Sequence, residues 1–234
     1  MPDRPYVLLS CGMSIDGYLD DAADERLLLS NEADFDRVDA ERAGCDAILV
    51  GAETVRQDNP RLLVRSPRRR HARAARGLPP NPAKVTVTGE AALDPAARFF
   101  TEGDAARLVY CADPAADKAA DRLGHLATVV AAGDPVDLAF VLADLHGRRV
   151  RRLMVEGGQS MLTQFLTAGL VDELHLVIAP VFVGDSRAPR FVGDGAFPWC
   201  AGRRATLAGV RQIGDVVLLR YALSDRFIPA ETPA

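Results

Sequence analysis

The sequence predicts an α/β protein, with a central and mostly parallel β-sheet flanked by helices and a C-terminal antiparallel hairpin. Three observations carry that prediction. Short apolar runs alternate with amphipathic helical patterns along most of the 234 residues, the mark of strands and crossover helices in a layered sheet. Two of those runs pass straight into glycine and then a helical pattern, at Val50-Gly51 and at Glu156-Gly157-Gly158. The last two apolar runs are joined by a turn holding Gly214-Asp215, a good hairpin signal.

Taken in order, residues 6–11 (YVLLSC) read as a first buried strand. Asn31 is placed to N-cap a helix with Phe35, Val38 and Arg42 on one side, which Gly44 ends. Residues 46–50 (DAILV) form a second strand that runs into Gly51 and a short helix opened by Glu53 and Thr54. Strands follow at 84–88 and 107–111, then an Ala-rich helix at 115–123 and a short strand at 127–131. Residues 137–146 read as a helix with Leu138, Val141, Leu142 and Leu145 inward. A strand at 152–155 leads through the two glycines to a helix at 160–168, and strands at 174–178, 205–213 and 216–221 complete the pattern. No linker or internal repeat divides it, so residues 1–225 read as one domain and 226–234 as a loose tail.

Composition narrows the function classes. With 48% apolar and 26% charged residues, a chain of this length buries a core without disulfides or a structural metal. A net charge of −4 argues against a general nucleic-acid binder, which carries a net basic face. No apolar run approaches the ~20 residues a membrane helix requires. The N-terminal stretch, with Asp3 beside Arg4 and Asp16 within it, does not read as a signal peptide, so the expected location is the cytosol. Cys11, Cys45, Cys111 and Cys200 are scattered, with no C-x-x-C pair and no histidine at ligand spacing, so no metal is expected.

Several residues carry chemistry in this pattern. The two glycine turns place helix N-termini beyond the carboxyl ends of strands, where unpaired N–H groups bind phosphates and Thr54 and Ser160 add hydroxyls. A tight turn without a ligand is an equal alternative for either one alone, and neither is a G-x-G-x-x-G fingerprint. Glu156, at a strand end beside two glycines, needs a partner or a ligand. Asp16 in a turn, and Asp172 and Glu173 as caps of a helix end, have simpler structural roles open to them. Residues 65–82 (RSPRRRHARAARGLPPNP) read as a basic insertion loop. Phosphate attraction through guanidinium forks and a merely solvated charge run stand as equal explanations of it. From the residues alone, the chain is an α/β protein that binds a phosphorylated ligand.

Four ordered stretches go further: MSIDGYL at 13–19, DAILVGAETVRQDNPRLLVR at 46–65, LMVEGGQSML at 153–162 and GLVDELHLVIAPVFVG at 169–184. Together, across residues 6–221, they resemble the reductase domain of riboflavin biosynthesis. The absence of the zinc deaminase motif and the stretch at 184–197 resemble its stand-alone form. The resemblance implies a dihydrofolate-reductase-like, three-layer α/β/α fold and a homodimer. It implies NADPH-dependent reduction of a ribosylaminopyrimidine 5′-phosphate, in its 2-oxo or 2-amino form, to the ribitylamino product. The sugar would open to an imine at C1′ and receive hydride there.

Carried over by position, Gly51, Thr54, Asp58, Gly157, Gly158, Gln159 and Ser160 fall on cofactor-binding positions. Arg26, Arg42, Leu62, Arg65 and Glu156 fall on substrate-binding ones, with Arg65 and Arg42 suited to the phosphate. Asp16 and Glu156 are the expected catalytic or orienting carboxylates. The chain departs from the fused bacterial enzymes at Ser10, where they have Lys, at Leu28, where they have Trp, and at Arg26, which replaces a small polar residue. These departures motivate an alternative, a dihydrofolate-, pterin- or secondary-metabolite-type reductase on the same fold. A non-catalytic nucleotide- or anion-binding protein is the remaining reading.

Overall fold

The computed structural model describes residues 3–23 and 26–229. Its elements run β1 (Tyr6–Ser14), α1 (Glu32–Ala43), β2 (Ala47–Gly51), α2 (Ala52–Asp58), α3 (Pro67–Ala75), β3 (Ala83–Thr88), α4 (Arg98–Thr101) and β4 (Arg107–Cys111). They continue with α5 (Ala116–Leu123), β5 (Thr128–Ala131), α6 (Leu138–Gly147), β6 (Arg152–Val155), α7 (Gln159–Thr167), β7 (Glu173–Ala179), β8 (Thr206–Ile213) and β9 (Val216–Ala222). The strands join in one sheet of order β5-β4-β3-β2-β6-β1-β7-β9-β8. Pairing is parallel from β5 through to β7, while β9 runs antiparallel to both β7 and β8.

Alternation along the strands makes the layers. Val7 and Leu9 of β1, Ala47 and Leu49 of β2, and Leu153 and Val155 of β6 share a core with Val141 and Leu145 of α6 and Leu162 and Phe165 of α7. The intervening residues face the other way. Ile48 and Val50 pack with Val55 of α2, Phe99 and Phe100 of α4 and Leu123 of α5, and Leu8 and Met154 pack against Val38 of α1. Side chains two apart share a face, so each central strand supplies both cores.

The crossovers fix where a ligand fits. From β1 the chain crosses to β2, β3, β4 and β5 on one side, then returns as β6 between β2 and β1 before crossing to β7. That reversal opens a crevice at the carboxyl ends of β1, β2 and β6, the usual binding place in such a sheet.

Two expectations are corrected. The basic segment is exposed along much of its length but is not a loop: Ser66 caps α3, accepting from the Arg69 amide, with Pro67 in the first turn, a favoured helix start. Arg69 pairs with Asp36 and Asp39 at 2.6 and 2.9 Å. Arg73 is buried and donates to the carbonyls of Pro79, Ala43 and Cys45 at 2.9, 2.8 and 2.6 Å. The charges bind the segment to α1 and its C-terminal turn. Asp172 and Glu173 do not cap a helix either. Asp172 is buried and accepts from both Arg4 nitrogens, Ser224 and the Val7 amide. Glu173 is buried among Tyr6, His175 and Arg220. Within the expected tail, Arg226 donates to the carbonyls of Pro5 and Arg4, and residues 230–234 lie outside the described residues.

Burial opposes the Glu173 charge, but bonds from His175, Arg220 and Tyr6 prevail and hold its carboxyl down at about 2, against an ordinary 4.5. A depressed folded-state value means this contribution is complete above pH 4.5 and is lost as pH falls toward 2. The shift corresponds to about 3 kcal/mol. Glu173→Gln is therefore expected to flatten the stability profile in that window, measured by urea unfolding. A variant with the wild-type acid slope would contradict this.

Candidate active site

The crevice holds a cleft of about 1690 Å³ whose wall includes Ser10 midway along β1 and Gly51, Thr88 and Glu156 at the ends of β2, β3 and β6. Two glycine turns form one part of it. The Gly51 amide donates to the Gly157 carbonyl at 3.1 Å, and the Gly158 amide donates to Thr54 Oγ1 at 2.9 Å. Gly157 has φ +109°, a conformation that favours glycine. A Cβ on Gly51 would stand 2.9 Å from Met161 Cγ, so the β2–α2 turn reaches α7 only because it lacks one.

Gly158 is the N-cap of α7 and contributes no side-chain cap. The first-turn N–H groups of α7 have no intrahelical acceptors, and Gln159 and Ser160 line the cleft. Their side chains are engaged locally: Gln159 Oε1 accepts from the Arg190 amide at 3.0 Å, and Ser160 Oγ accepts from Gln164 at 2.9 Å. Asp58 also lines the cleft; burial raises its carboxyl against the lowering pull of the Arg26 guanidinium 3.5 Å away. A helix N-terminus without a cap, two glycine turns and a long cleft fit a phosphorylated dinucleotide.

The neighbouring part is organised by a buried ion pair. Arg42 Nε and Nη2 each lie 2.6 Å from a Glu156 oxygen, and Nη1 donates to the Leu63 carbonyl at 3.3 Å. Both side chains are largely buried, at 14% and 13% exposure. Arg65 differs. It lines the cleft, its guanidinium lies 5.2 Å over the Phe35 ring, and among the described residues it has no carboxylate partner for its side chain. Its amide donates to Asp39.

The RibD C-terminal domain family model matches residues 5–219. The chain belongs to that family. It is 33% identical to the 2,5-diamino-6-ribosylamino-4(3H)-pyrimidinone 5′-phosphate reductase of Archaeoglobus fulgidus, over 96% of this chain and 99% of that one. It is 36% identical to the protein of the same name from Methanothermobacter thermautotrophicus, over 94% and 99%. A solved pyrimidine reductase-like protein from Corynebacterium diphtheriae superposes with a TM-score of 0.78 at 26% identity, covering 93% of this chain and 91% of that one. Among the described residues, no cluster of three His, Cys, Asp or Glu could hold a metal, and no helix is long and apolar enough to cross a membrane.

Within this RibD C-terminal domain, Gly51, Thr54, Asp58, Gly158, Gln159, Ser160, Arg26, Arg42, Arg65 and Glu156 all line the one cleft. Gly157 shapes the turn behind it. Three expectations change. Asp16 is not on the cleft wall: it accepts from Ser14 Oγ at 2.6 Å and from the Val183 and Gly184 amides at 3.1 and 2.8 Å. The Ser14 bond above all holds its carboxyl below the ordinary value. These bonds tie the turn after β1 to residues 183–184. Leu62 is buried with Ile48, Val55 and Phe99 behind α2, off the wall. Arg42 is committed to Glu156, which leaves Arg65, of the two, without a carboxylate partner among the described residues. Of the basic segment only Arg65 reaches the cleft.

Sequence reasoning missed Asp34 and Arg37, which line the cleft beside Val38 and Arg42. The signal was present, because Asp34, Val38 and Arg42 stand four apart and share a face of α1. It also missed residues 186–190, which join the wall through the Arg190–Gln159 bond and the Leu19–Pro189 bond of 2.8 Å.

Thr54→Val keeps the shape at Thr54 but strands the Gly158 N–H. It is expected to cost about 1–3 kcal/mol in urea unfolding and to weaken binding of a reduced nicotinamide dinucleotide in a fluorescence titration. Unchanged values of both would contradict the role given to that bond.

Proposed function

We propose that the chain reduces the ribosyl group of 2,5-diamino-6-ribosylamino-4(3H)-pyrimidinone 5′-phosphate to the ribitylamino product, with NADPH, as a cytosolic homodimer. The observation that carries this reading is one cleft with an uncapped, glycine-flanked helix N-terminus in one part and an arginine without a carboxylate partner in another. The names of the relatives at 33% and 36% identity support the substrate. Four unpaired cysteines suit a reducing compartment. On edge strand β8, Leu207 and Val210 are exposed at 53% and 61%, which supports β8 as the subunit contact. Sedimentation at micromolar concentration is expected to show a dimer, and a monomer would remove that part.

When bound, the reduced nicotinamide supplies a hydride for the sugar carbon. The first turn of α7 and the Thr54-braced glycines hold its phosphates. Arg65 takes the substrate phosphate through a charged hydrogen bond. Glu156, fixed by Arg42, presents an oriented carboxylate to the sugar. Bringing donor and acceptor together in one fixed cleft is the protein's largest contribution to the rate.

The test is loss of NADPH absorbance with the 2,5-diamino substrate. Turnover is expected, and none in the presence of bound NADPH would overturn the reading. Arg65→Ala is expected to lower kcat/KM about 10- to 100-fold, the effect of one charged hydrogen bond, through KM. It should match the wild type on the dephosphorylated substrate, and an equal loss on both would move the phosphate elsewhere.

A further inference from the structure

We propose that Asp34 is the residue that selects the pyrimidine: its unoccupied carboxylate oxygen accepts a hydrogen bond from a 2-amino group and excludes a 2-oxo group. This rests on the 2,5-diamino substrate proposed above and names the residue that reads its 2-amino group.

Asp34 stands in the first turn of α1, where its amide donates to the capping Asn31 side chain at 2.9 Å. Its residue is 1% exposed, yet it lines the cleft. One oxygen accepts from Arg37 Nε at 2.6 Å, while Oδ2 has no hydrogen-bond partner among the described residues. A carboxylate oxygen has lone pairs to fill, and Oδ2 is not among the buried unpartnered atoms, so it keeps a small accessible surface although the residue as a whole is almost fully covered. The open side here is the cleft. The hydroxyls of Ser10 and Ser30 line the same wall, and neither has a hydrogen-bond partner among the described residues.

The carboxylate is held firmly. Arg37 is 9% exposed, and its Nη1 is 3.3 Å from His175 Nδ1, while His175 Nε2 is 2.8 Å from Glu173 Oε1. Arg220 Nε also reaches His175 Nε2 at 3.1 Å and pairs with Glu173, so Arg37 backs onto a buried cluster of His175, Glu173 and Arg220. That cluster holds the Arg37 guanidinium in place against Asp34. Such a fixed anion distinguishes donors from acceptors sharply, because it cannot rotate to offer a proton.

The two forms of the pyrimidine differ at that point. The 2-amino pyrimidinone presents N3–H and the 2-amino group side by side, two donors facing an anion. The 2-oxo form replaces one with a carbonyl oxygen, which meets Asp34 lone pair to lone pair. A site built to accept a hydrogen bond rejects the analogue that cannot donate it.

The experiment compares kcat/KM for the two ribosylaminopyrimidine phosphates in the wild type and Asp34→Asn, with thermal unfolding of both proteins. The wild type is expected to favour the 2-amino form about 10- to 100-fold. Asp34→Asn, whose amide can donate, is expected to bring the ratio to about one or invert it, chiefly through KM. A merely structural Asp34 would lower both rates together and leave the ratio unchanged, which would overturn the inference. If Asp34→Asn does not fold, wild-type binding of 2,6-diaminopyrimidin-4-one against 6-aminouracil carries the test. Preference for the former supports the inference, and equal affinity overturns it. Equal wild-type turnover of both phosphates would leave the proposed reaction standing and remove the role of Asp34. Turnover of neither would remove the substrate class and this inference with it.

Discussion

The bidentate pair of Arg42 and Glu156 is the constraint on which the cleft depends. It ties the last turn of α1 to the end of β6, two places brought together only because β6 returns between β2 and β1. Two largely desolvated charges are expensive to bury, and their attraction compensates only when the geometry is good. Here each Glu156 oxygen receives one guanidinium nitrogen at 2.6 Å. Glu156 is also the residue before the glycine turn, so the pair sets where α7 begins.

From that junction the two parts of the site divide the work by charge. Toward α7 the donors are backbone amides, with glycine at the turns so that a ligand can come close. Toward α1 the charges are side chains in fixed pairs, Arg42 with Glu156 and Arg37 with Asp34. Arg65 stays open at the cleft. Because each of these charges is held by a partner within the protein, their positions are set before a substrate arrives. That order lowers the cost of aligning two ligands in one cleft.

The layers, the parallel strands and the final hairpin were legible because period-two and period-3.6 patterns are local. The turns at Gly51 and Gly157 were legible for the same reason. The basic segment was not, because the partners of Arg69 and Arg73 lie about thirty residues earlier, at Asp36, Asp39, Ala43 and Cys45. Ser66 and Pro67 carried a helix-start signal, but the arginines drew attention to charge. Asp16 and Leu62 show the limit of carrying roles by position. A motif gives the place in the chain, whereas the direction of a side chain depends on what it meets, here the amides of Val183 and Gly184 and the core around Phe99. Asp34 was missed because an acidic residue in a first helical turn is already explained by the helix dipole.

The most direct test of the account is a double-mutant cycle on Arg42 and Glu156, with Arg42→Ala, Glu156→Ala and the double variant compared in urea unfolding and in NADPH titration. Removing one partner of a buried pair costs about 3–5 kcal/mol. The account predicts that each single variant loses stability on that scale together with cofactor affinity, and that the double variant is no worse than either. Costs that simply add, with NADPH affinity retained throughout, would show that the two residues act independently and that the cleft is held together by something else.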